Sequence, residues 1–190
     1  MNLVRYFENR VRQNPDKIFL IEESGGETAR TFTYYELWQA IRRTAANLNR
    51  AGISYQDCVA IILPNSPELI ISWFAVNYLG AIAGIFEPVL SSQELTAKLN
   101  HLEPRLVIGE NNVDQFIAYN PPLWINAYPV KERDPATIVY SSGTTGSPKG
   151  VVESHFNYIF AGEGFAHWMN LSANDRLYTC LSLARINAQA

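Results

Sequence analysis

The chain is poor in cysteine and in charge, and each shortage excludes a class of protein. Only two of its 190 residues are cysteines, Cys58 and Cys180, so a disulfide framework is excluded. Both lie in apolar runs, which predicts two buried free thiols and a reducing compartment. Charged residues make up 17% and the net charge is −3. This composition excludes a disordered chain and offers no basic surface to nucleic acid or anionic lipid.

Long uninterrupted apolar runs are also absent. The most apolar stretch, near residues 69–86, is broken by Ser72 and Asn77 and carries two glycines. The first residues lack an apolar signal region with a small-residue cleavage site. The sequence therefore predicts no transmembrane segment and a cytoplasmic location.

What the chain does contain is a regular alternation of strand-like and helical patterns. Two strand-like segments joined by Gly25 and Gly26 predict a hairpin near the N-terminus. Ser/Thr and Glu at capping-box spacing, Thr33 with Glu36 and Ser91 with Glu94, predict helix starts. The later strand-like segments are 59–63, 81–86 and 105–108, with helical segments at 67–79 and from Ser91 to Leu102 between them. This order predicts an α/β fold of βαβ units with a mostly parallel sheet.

A loop rich in glycine and hydroxyl groups follows the short strand-like segment 137–140. Its glycines allow backbone amides to approach an anion closely, and its hydroxyls are further donors. Lys149 adds a point charge suited to phosphate oxygens. The spacing is not that of a Walker loop. Composition alone supports two interpretations equally, a polyphosphate-binding loop and a flexible connection between strands.

The full string of this loop resembles the AMP-binding signature of the adenylate-forming superfamily, which includes the acyl-CoA synthetases. The string reads Tyr140-Ser141-Ser142-Gly143-Thr144-Thr145-Gly146-Ser147-Pro148-Lys149-Gly150-Val151. Shorter stretches in the same order, such as residues 14–17, 31–37 and 63–68, resemble the same family. The paired serines at the start of the loop look more like those of acyl- or aryl-CoA ligases than those of amino-acid activators.

The resemblance implies a two-step reaction. A carboxylate attacks the α-phosphorus of ATP, pyrophosphate leaves, and the sulfur of CoA then displaces AMP. ATP, Mg²⁺, CoA and a carboxylic acid are the implied cofactors and partners. Carried over from the family, the phosphate-binding residues are Ser141, Ser142, Gly143, Thr144, Thr145, Gly146 and Lys149.

The same resemblance implies that residues 1–190 are part of the large N-terminal AMP-binding domain. Family segments that bind adenine and ribose, and the catalytic lysine of a small C-terminal domain, do not occur in the sequence. We therefore expect a truncated domain that is not catalytically competent alone, and we assign no catalytic residue. No histidines or cysteines have metal-ligand spacing, so no metal site made of side chains is expected.

Three further residues are candidates for the border of a substrate pocket. His155 matches a family histidine, but the interpretation we favour is a helix-start residue bonded to backbone. Ala184 and Arg185 stand where the family usually has phenylalanine and histidine. Arg185 could pair with an anionic substrate, or both positions could have drifted in a chain no longer selected for catalysis, which is the interpretation we favour.

The sequence leaves three functional hypotheses open. The chain is a segment of a carboxylate–CoA ligase, a non-catalytic protein that binds a nucleotide or a partner, or the non-functional product of a shortened gene. From a truncated domain we expect an unpaired strand edge near Tyr140 or Val152 and an apolar face near Leu181 and Ile186. Such surfaces predict self-association, whereas a clean monomer would favour the second hypothesis.

Overall fold

The computed structural model describes residues 1–117, 125–140 and 148–185. The strands are β1 (Ile18–Ser24), β2 (Glu27–Thr33), β3 (Cys58–Ile62), β4 (Ile82–Phe86), β5 (Leu106–Gly109), β6 (Pro135–Tyr140) and β7 (Gly150–Ser154). The helices are α1 (Leu3–Gln13), α2 (Tyr34–Arg50), α3 (Pro67–Tyr78), α4 (Ser92–Leu102), α5 (Val113–Phe116) and α6 (His155–Trp168).

Strands β1 and β2 form the predicted hairpin, a two-stranded antiparallel sheet. Arg30 on β2 joins the hairpin to the start of α3, because its guanidinium contacts both Glu22 and Glu68. This contact lowers the pKa of the Glu68 carboxyl below its usual range. The hairpin is therefore attached to the rest of the chain by charge as well as by packing.

Both predicted capping boxes are present. The Thr33 hydroxyl accepts from the Glu36 backbone N–H at 3.1 Å, while the Glu36 carboxylate accepts from the Thr33 N–H at 2.8 Å. Ser91 and Glu94 exchange the same pair of bonds at the start of α4. These reciprocal bonds satisfy two backbone donors at each helix start.

The second sheet has five strands in the order β5-β3-β4-β6-β7. All of its pairings are parallel except that between β6 and β7. The prediction of an α/β fold with a mostly parallel sheet is confirmed. Of the two predicted positions for an unpaired edge, the sheet has one at Val152 and not at Tyr140, because β6 lies between β4 and β7; among the described residues, β7 and β5 are the two edge strands.

Alternate residues of β3 enter different cores on the two faces of this sheet. Val59 and Ile61 pack in the larger core, with apolar side chains of α1, α2 and α3. Ala60 packs on the other face with Leu102 of α4. The period of two along the strand thus places helices on both faces.

Two expectations about exposure are tested by this fold. Cys58 is half-buried, but Cys180 is exposed, so the prediction of a buried thiol at Cys180 is wrong. Cys180 lies in an irregular segment rather than in a strand covered by helices. Leu181 is 53% exposed, whereas Ile186 lies outside the described residues.

In the part of the chain that the structure describes, no helix has the length and apolarity needed to cross a bilayer.

Among the described glycines, Gly80 should be the least tolerant of substitution. Its φ is +70°, and an added Cβ would lie 2.8 Å from Val130 Cγ1 and 2.9 Å from Tyr55 Cδ2. We expect Gly80→Ala to lower the free energy of unfolding by about 3 kcal/mol, from backbone strain and overpacking together. Gly25→Ala is the matched control, because its φ is +63° but its surroundings are open. It should cost about 1 kcal/mol, and equal losses in urea titrations would contradict the packing argument.

Candidate functional site

Polar side chains collect at the edge of the large sheet where its parallel strands end. Asn65 follows β3, Glu87 follows β4 directly, and Tyr140 is the last residue of β6. Because these strands are parallel, their carboxyl ends meet at one edge. In open α/β sheets, ligands bind outside the carboxyl ends of the strands.

The glycine-rich loop leaves from this edge and returns to it. Tyr140 and Gly150, the residues that flank the loop, are paired in the antiparallel register of β6 and β7. Lys149, at the returning end, is exposed, and no ion pair to it is present among the described residues. Its ammonium group is therefore available to an anion at the edge. The other predicted phosphate-binding residues lie outside the described residues: Ser141, Ser142, Gly143, Thr144, Thr145 and Gly146.

The segment carrying Ala184 and Arg185 lies against the same edge. The Arg185 guanidinium Nε donates to Glu87 Oε1 at 2.8 Å, and this contact lowers the pKa of the Glu87 carboxyl below its usual range. The Asn65 amide donates to the Leu181 carbonyl at 2.7 Å. Ala184 is buried in the main core. The structure thus brings Arg185 and Ala184 to the strand ends from which the loop departs.

Asn65 and Glu87 were not among the residues singled out from the sequence. Their positions in the sequence could have indicated them. Each is the first residue with a polar side chain after a buried strand, Asn65 after β3 and Glu87 after β4. Glu87 is separated from its partner Arg185 by 98 positions. Spacing in the sequence therefore could not pair them.

His155 is placed elsewhere. It follows β7, whose last residue, Ser154, pairs with Pro135 at the start of β6. The five residues of β7 span about 17 Å, so His155 lies at the end of the β6–β7 pair remote from the loop. The structure does not bring it together with Lys149, Ala184 or Arg185.

The side chain of His155 is closed off from solvent. The residue is 0% exposed, and neither ring nitrogen has a hydrogen-bond partner among the described residues. Burial lowers the pKa of its imidazole to about 4, against a smaller opposing effect of Asp134. His155 is therefore neutral in the folded chain at neutral pH. Its backbone N–H donates to the Asp134 carbonyl at 3.3 Å.

The described side chains do not form a metal centre by themselves. Within residues 1–117, 125–140 and 148–185, no three His, Cys, Asp or Glu side chains are grouped so that they could hold a metal ion. A divalent cation at the loop would instead be carried by the phosphate oxygens of a nucleotide, which is common for Mg²⁺. Exposed Lys149 beside the strand ends fits such a phosphate group.

Comparisons with known proteins agree with this geometry. The sequence pattern of the family described as AMP-binding enzyme matches residues 7–190. The crotonobetaine/carnitine–CoA ligase of Proteus mirabilis is 29% identical over 85% of this chain and 38% of its own length. The 4-coumarate–CoA ligase 1 of Petroselinum crispum is 32% identical over 78% of this chain and 32% of its own length.

A solved structure shows the same fold. The o-succinylbenzoate coenzyme A synthetase of Bacillus subtilis, in complex with ATP and magnesium ion, superposes with a TM-score of 0.83 at 26% identity. The match covers 96% of this chain and 52% of that chain. The chain thus spans between about a third and two fifths of the length of these two curated relatives and about half of this solved one. With the family pattern covering nearly every residue, the chain belongs to the family of AMP-binding enzymes, the adenylate-forming superfamily that its signature loop resembles.

Proposed function

We propose that residues 1–190 form the N-terminal, phosphate-binding part of an ATP-dependent carboxylate–CoA ligase. The observation that carries this proposal is the signature loop, which joins β6 to β7 at the carboxyl edge of the sheet with Lys149 exposed at its returning end. Support comes from relatives that are CoA ligases and from a solved neighbour that holds ATP and magnesium ion.

In this proposal the loop holds the β- and γ-phosphates of ATP, which leave as pyrophosphate. Its residues Ser141, Ser142, Gly143, Thr144, Thr145 and Gly146 provide amides and hydroxyls, and Lys149 provides charge. Phosphoryl chemistry depends mainly on positioning and on neutralising charge. Mg²⁺, bound with the nucleotide, would neutralise further phosphate charge.

Binding of Mg-pyrophosphate tests this function directly. We expect a dissociation constant near 1 mM, about −4 kcal/mol, because only the phosphate end of the nucleotide is held. Lys149→Ala should weaken binding at least about tenfold, since it removes a charge that contacts phosphate. Lys131→Ala is the matched control, because it removes an exposed lysine near the opposite end of β6.

Calorimetric titration separates the outcomes. Saturable binding that depends on Lys149 and not on Lys131 supports the proposal. Equal losses of affinity in both variants would show that the net charge of the chain, rather than Lys149 in particular, governs binding. No binding at 20 mM would contradict the proposed function and would favour a chain without a nucleotide-binding role.

The substrate side of the same proposal involves Ala184 and Arg185. Arg185 and Glu87 neutralise each other at the strand ends, and buried Ala184 fills little space beside them. In this proposal they border the pocket of the carboxylic acid that is activated. CoA would enter in the second step. His155 stays a residue of the fold, remote from this pocket.

Catalysis by the 190-residue chain alone is not expected. Orienting a carboxylate against the α-phosphorus is worth several kcal/mol of barrier, and the chain carries none of the family segments that hold adenine and ribose. We predict no acid-dependent exchange of pyrophosphate into ATP. Exchange above background that disappears in Lys149→Ala would overturn this prediction.

The proposal also includes self-association through the edge strand and a cytoplasmic location. In the part of the chain that the structure describes, β6 is the one strand paired with β7, and Val151 and Val152 on β7 are 51% and 55% exposed. An open edge with apolar side chains favours pairing with a second chain.

A further inference from the structure

A cavity of about 720 Å³ lies between helices α1 and α2, the end of α3 and the segment that precedes β6. This volume is within the range of small-molecule binding sites. Tyr78, which lines the cavity, is the last residue of α3 and comes just before β4. The cavity is therefore at the amino ends of the parallel strands, remote from the carboxyl edge where the signature loop departs.

The charges around this cavity are mostly positive. Its charged side chains, among the described residues, are Arg5, Arg12, Arg42 and Glu8. They carry a net charge of +2, although the whole chain carries −3. A cleft lined by charges of one sign concentrates ligands of the opposite sign. The lining therefore favours an anion.

Two of the arginines have hydrogen-bond donors to spare. The guanidinium of Arg5 has no ion pair and no hydrogen bond among the described residues. Arg12 donates from Nη2 to Glu8 Oε1 at 2.8 Å, which uses one of its five N–H groups. Both side chains can therefore bind an incoming carboxylate or phosphate, which a guanidinium contacts through two parallel bonds.

Hydrogen bonds between its walls hold the cavity in shape. The Tyr78 hydroxyl donates to the Ile125 carbonyl at 2.8 Å, and the Tyr128 N–H donates to the Tyr78 carbonyl at 2.9 Å. The buried amide of Asn2, at the start of α1, donates to the Val130 carbonyl at 3.0 Å. The segment before β6 is thus bonded to both α3 and α1. A cavity that exists before the ligand arrives reduces the cost of ordering on binding.

The spacing of the arginines indicates the shape of the ligand. Arg5 and Arg12 are seven residues apart on α1, so their Cα atoms are separated by about 10.5 Å along the helix axis. Pyrophosphate, in which two phosphates share one oxygen atom, is too short to reach both positions. The spacing fits a longer molecule with an acidic group at each end.

We propose that this cavity is a second binding site, for an elongated organic anion that carries a phosphate or a carboxylate group at each end. Arg5 and Arg12 bind the two end groups, and Arg42 adds positive charge from α2. The site goes beyond the proposed function, since it uses no residue of the signature loop and lies at the other end of the sheet.

NMR titration of the ¹⁵N-labelled chain tests the site, with ionic strength held constant by sodium chloride. Fructose 1,6-bisphosphate is the probe with two phosphates, and octanedioate is the probe with two carboxylates. At least one of them should cause saturable shifts at the side-chain amides of Asn9 and Asn126, which line the cavity. Which probe binds more tightly identifies the end group.

Fructose 6-phosphate, with one acidic group, should bind at least about tenfold more weakly than the bisphosphate, because it leaves one guanidinium without a partner. Equal affinity for the two sugar phosphates would overturn the proposal if octanedioate does not bind. The absence of saturable shifts with both dianions at about 20 mM would overturn it outright.

Arg5→Gln should raise the dissociation constant of the bound dianion about tenfold. Its melting temperature should stay that of the wild type, because Arg5 is exposed and without a described partner. Arg50→Gln is the matched control, since it removes the same charge from the exposed end of α2, outside the lining. Equal losses of affinity in these two variants would overturn the proposal.

Lys149→Ala separates this site from the proposed function. It should leave dianion binding in the cavity unchanged, whereas it should weaken pyrophosphate binding at the loop. A chain that fails to bind pyrophosphate but binds a dianion through Arg5 would contradict the proposed function and support the second site. Loss of dianion binding in Lys149→Ala, with Arg5→Gln unaffected, would overturn the second site.

Discussion

Lowering the pH from 7 to 4.5 is expected to cost the fold about 2 kcal/mol through His155 alone. His155 is fully buried and without a hydrogen-bond partner on either ring nitrogen among the described residues. Burial lowers the pKa of its imidazole to about 4 in the folded chain. An unfolded chain would have an ordinary histidine pKa near 6.5.

The sign follows from which state binds the proton. Between about pH 6.5 and 4 the unfolded chain binds a proton at His155 that the folded chain excludes, so stability falls as the pH falls. The contribution is fully present above about pH 6.5. Below about pH 4 both states are protonated, and the total loss reaches about 3 kcal/mol, since one pKa unit is worth about 1.4 kcal/mol.

Urea unfolding at several pH values measures this effect. His155→Phe removes the titrating group, and its free energy of unfolding should fall less steeply with acid than that of the wild type. His167→Phe is the matched control, because His167 is exposed near the end of α6. The wild-type slope should persist in that control. A slope unchanged in His155→Phe would show that other groups, such as the carboxyls of Glu68 and Glu87, govern the acid response.

The second large effect concerns the edge strand β7. We expect the isolated chain to self-associate, with light scattering showing a mass that rises with concentration. Helix α6, which follows β7 directly, also exposes apolar side chains: Phe156 and Phe160 are 42% and 67% exposed, and their rings stack at 5.7 Å between centroids. Val152→Lys should weaken association by at least about tenfold, because a lysine on an edge strand disfavours pairing.

The other edge of the same sheet supplies the control. Val107 on β5 is 36% exposed, and Val107→Lys adds the same charge to the shorter edge strand. This variant should associate like the wild type. A monomeric wild type with a sharp cooperative melt would contradict the prediction, and equal effects of both variants would show that added charge, rather than the β7 edge, is responsible.

The element order was predictable because its signals are local. Capping boxes and the period of two along β3 depend on residues a few positions apart, and the structure reproduces them. The signature loop was identified in the same way, from one continuous string. Local patterns determine which segments are helices and strands, and the short connections leave few ways to arrange them.

The arrangement of the site was less predictable because it depends on distant pairs. Arg185 and Glu87 are 98 positions apart, and no pattern in the sequence joins them. His155 illustrates the opposite error. It lies only six positions after Lys149, but an extended strand between them carries it away from the loop. Closeness in sequence across a strand does not mean closeness in space.

Locating the phosphate site on the chain is the most direct test of the proposed function. Backbone amide signals of the ¹⁵N-labelled chain should be followed by NMR during titration with Mg-pyrophosphate. We predict that the largest shifts occur at Tyr140, Lys149 and Gly150 and that Lys149→Ala abolishes these shifts. Few shifts are expected at Glu132, which lies just before the start of β6, at the opposite end of that strand from the loop. Saturable shifts confined to α1 and α2, or no shifts at 20 mM ligand, would contradict the claim that this chain carries the phosphate-binding part of a ligase.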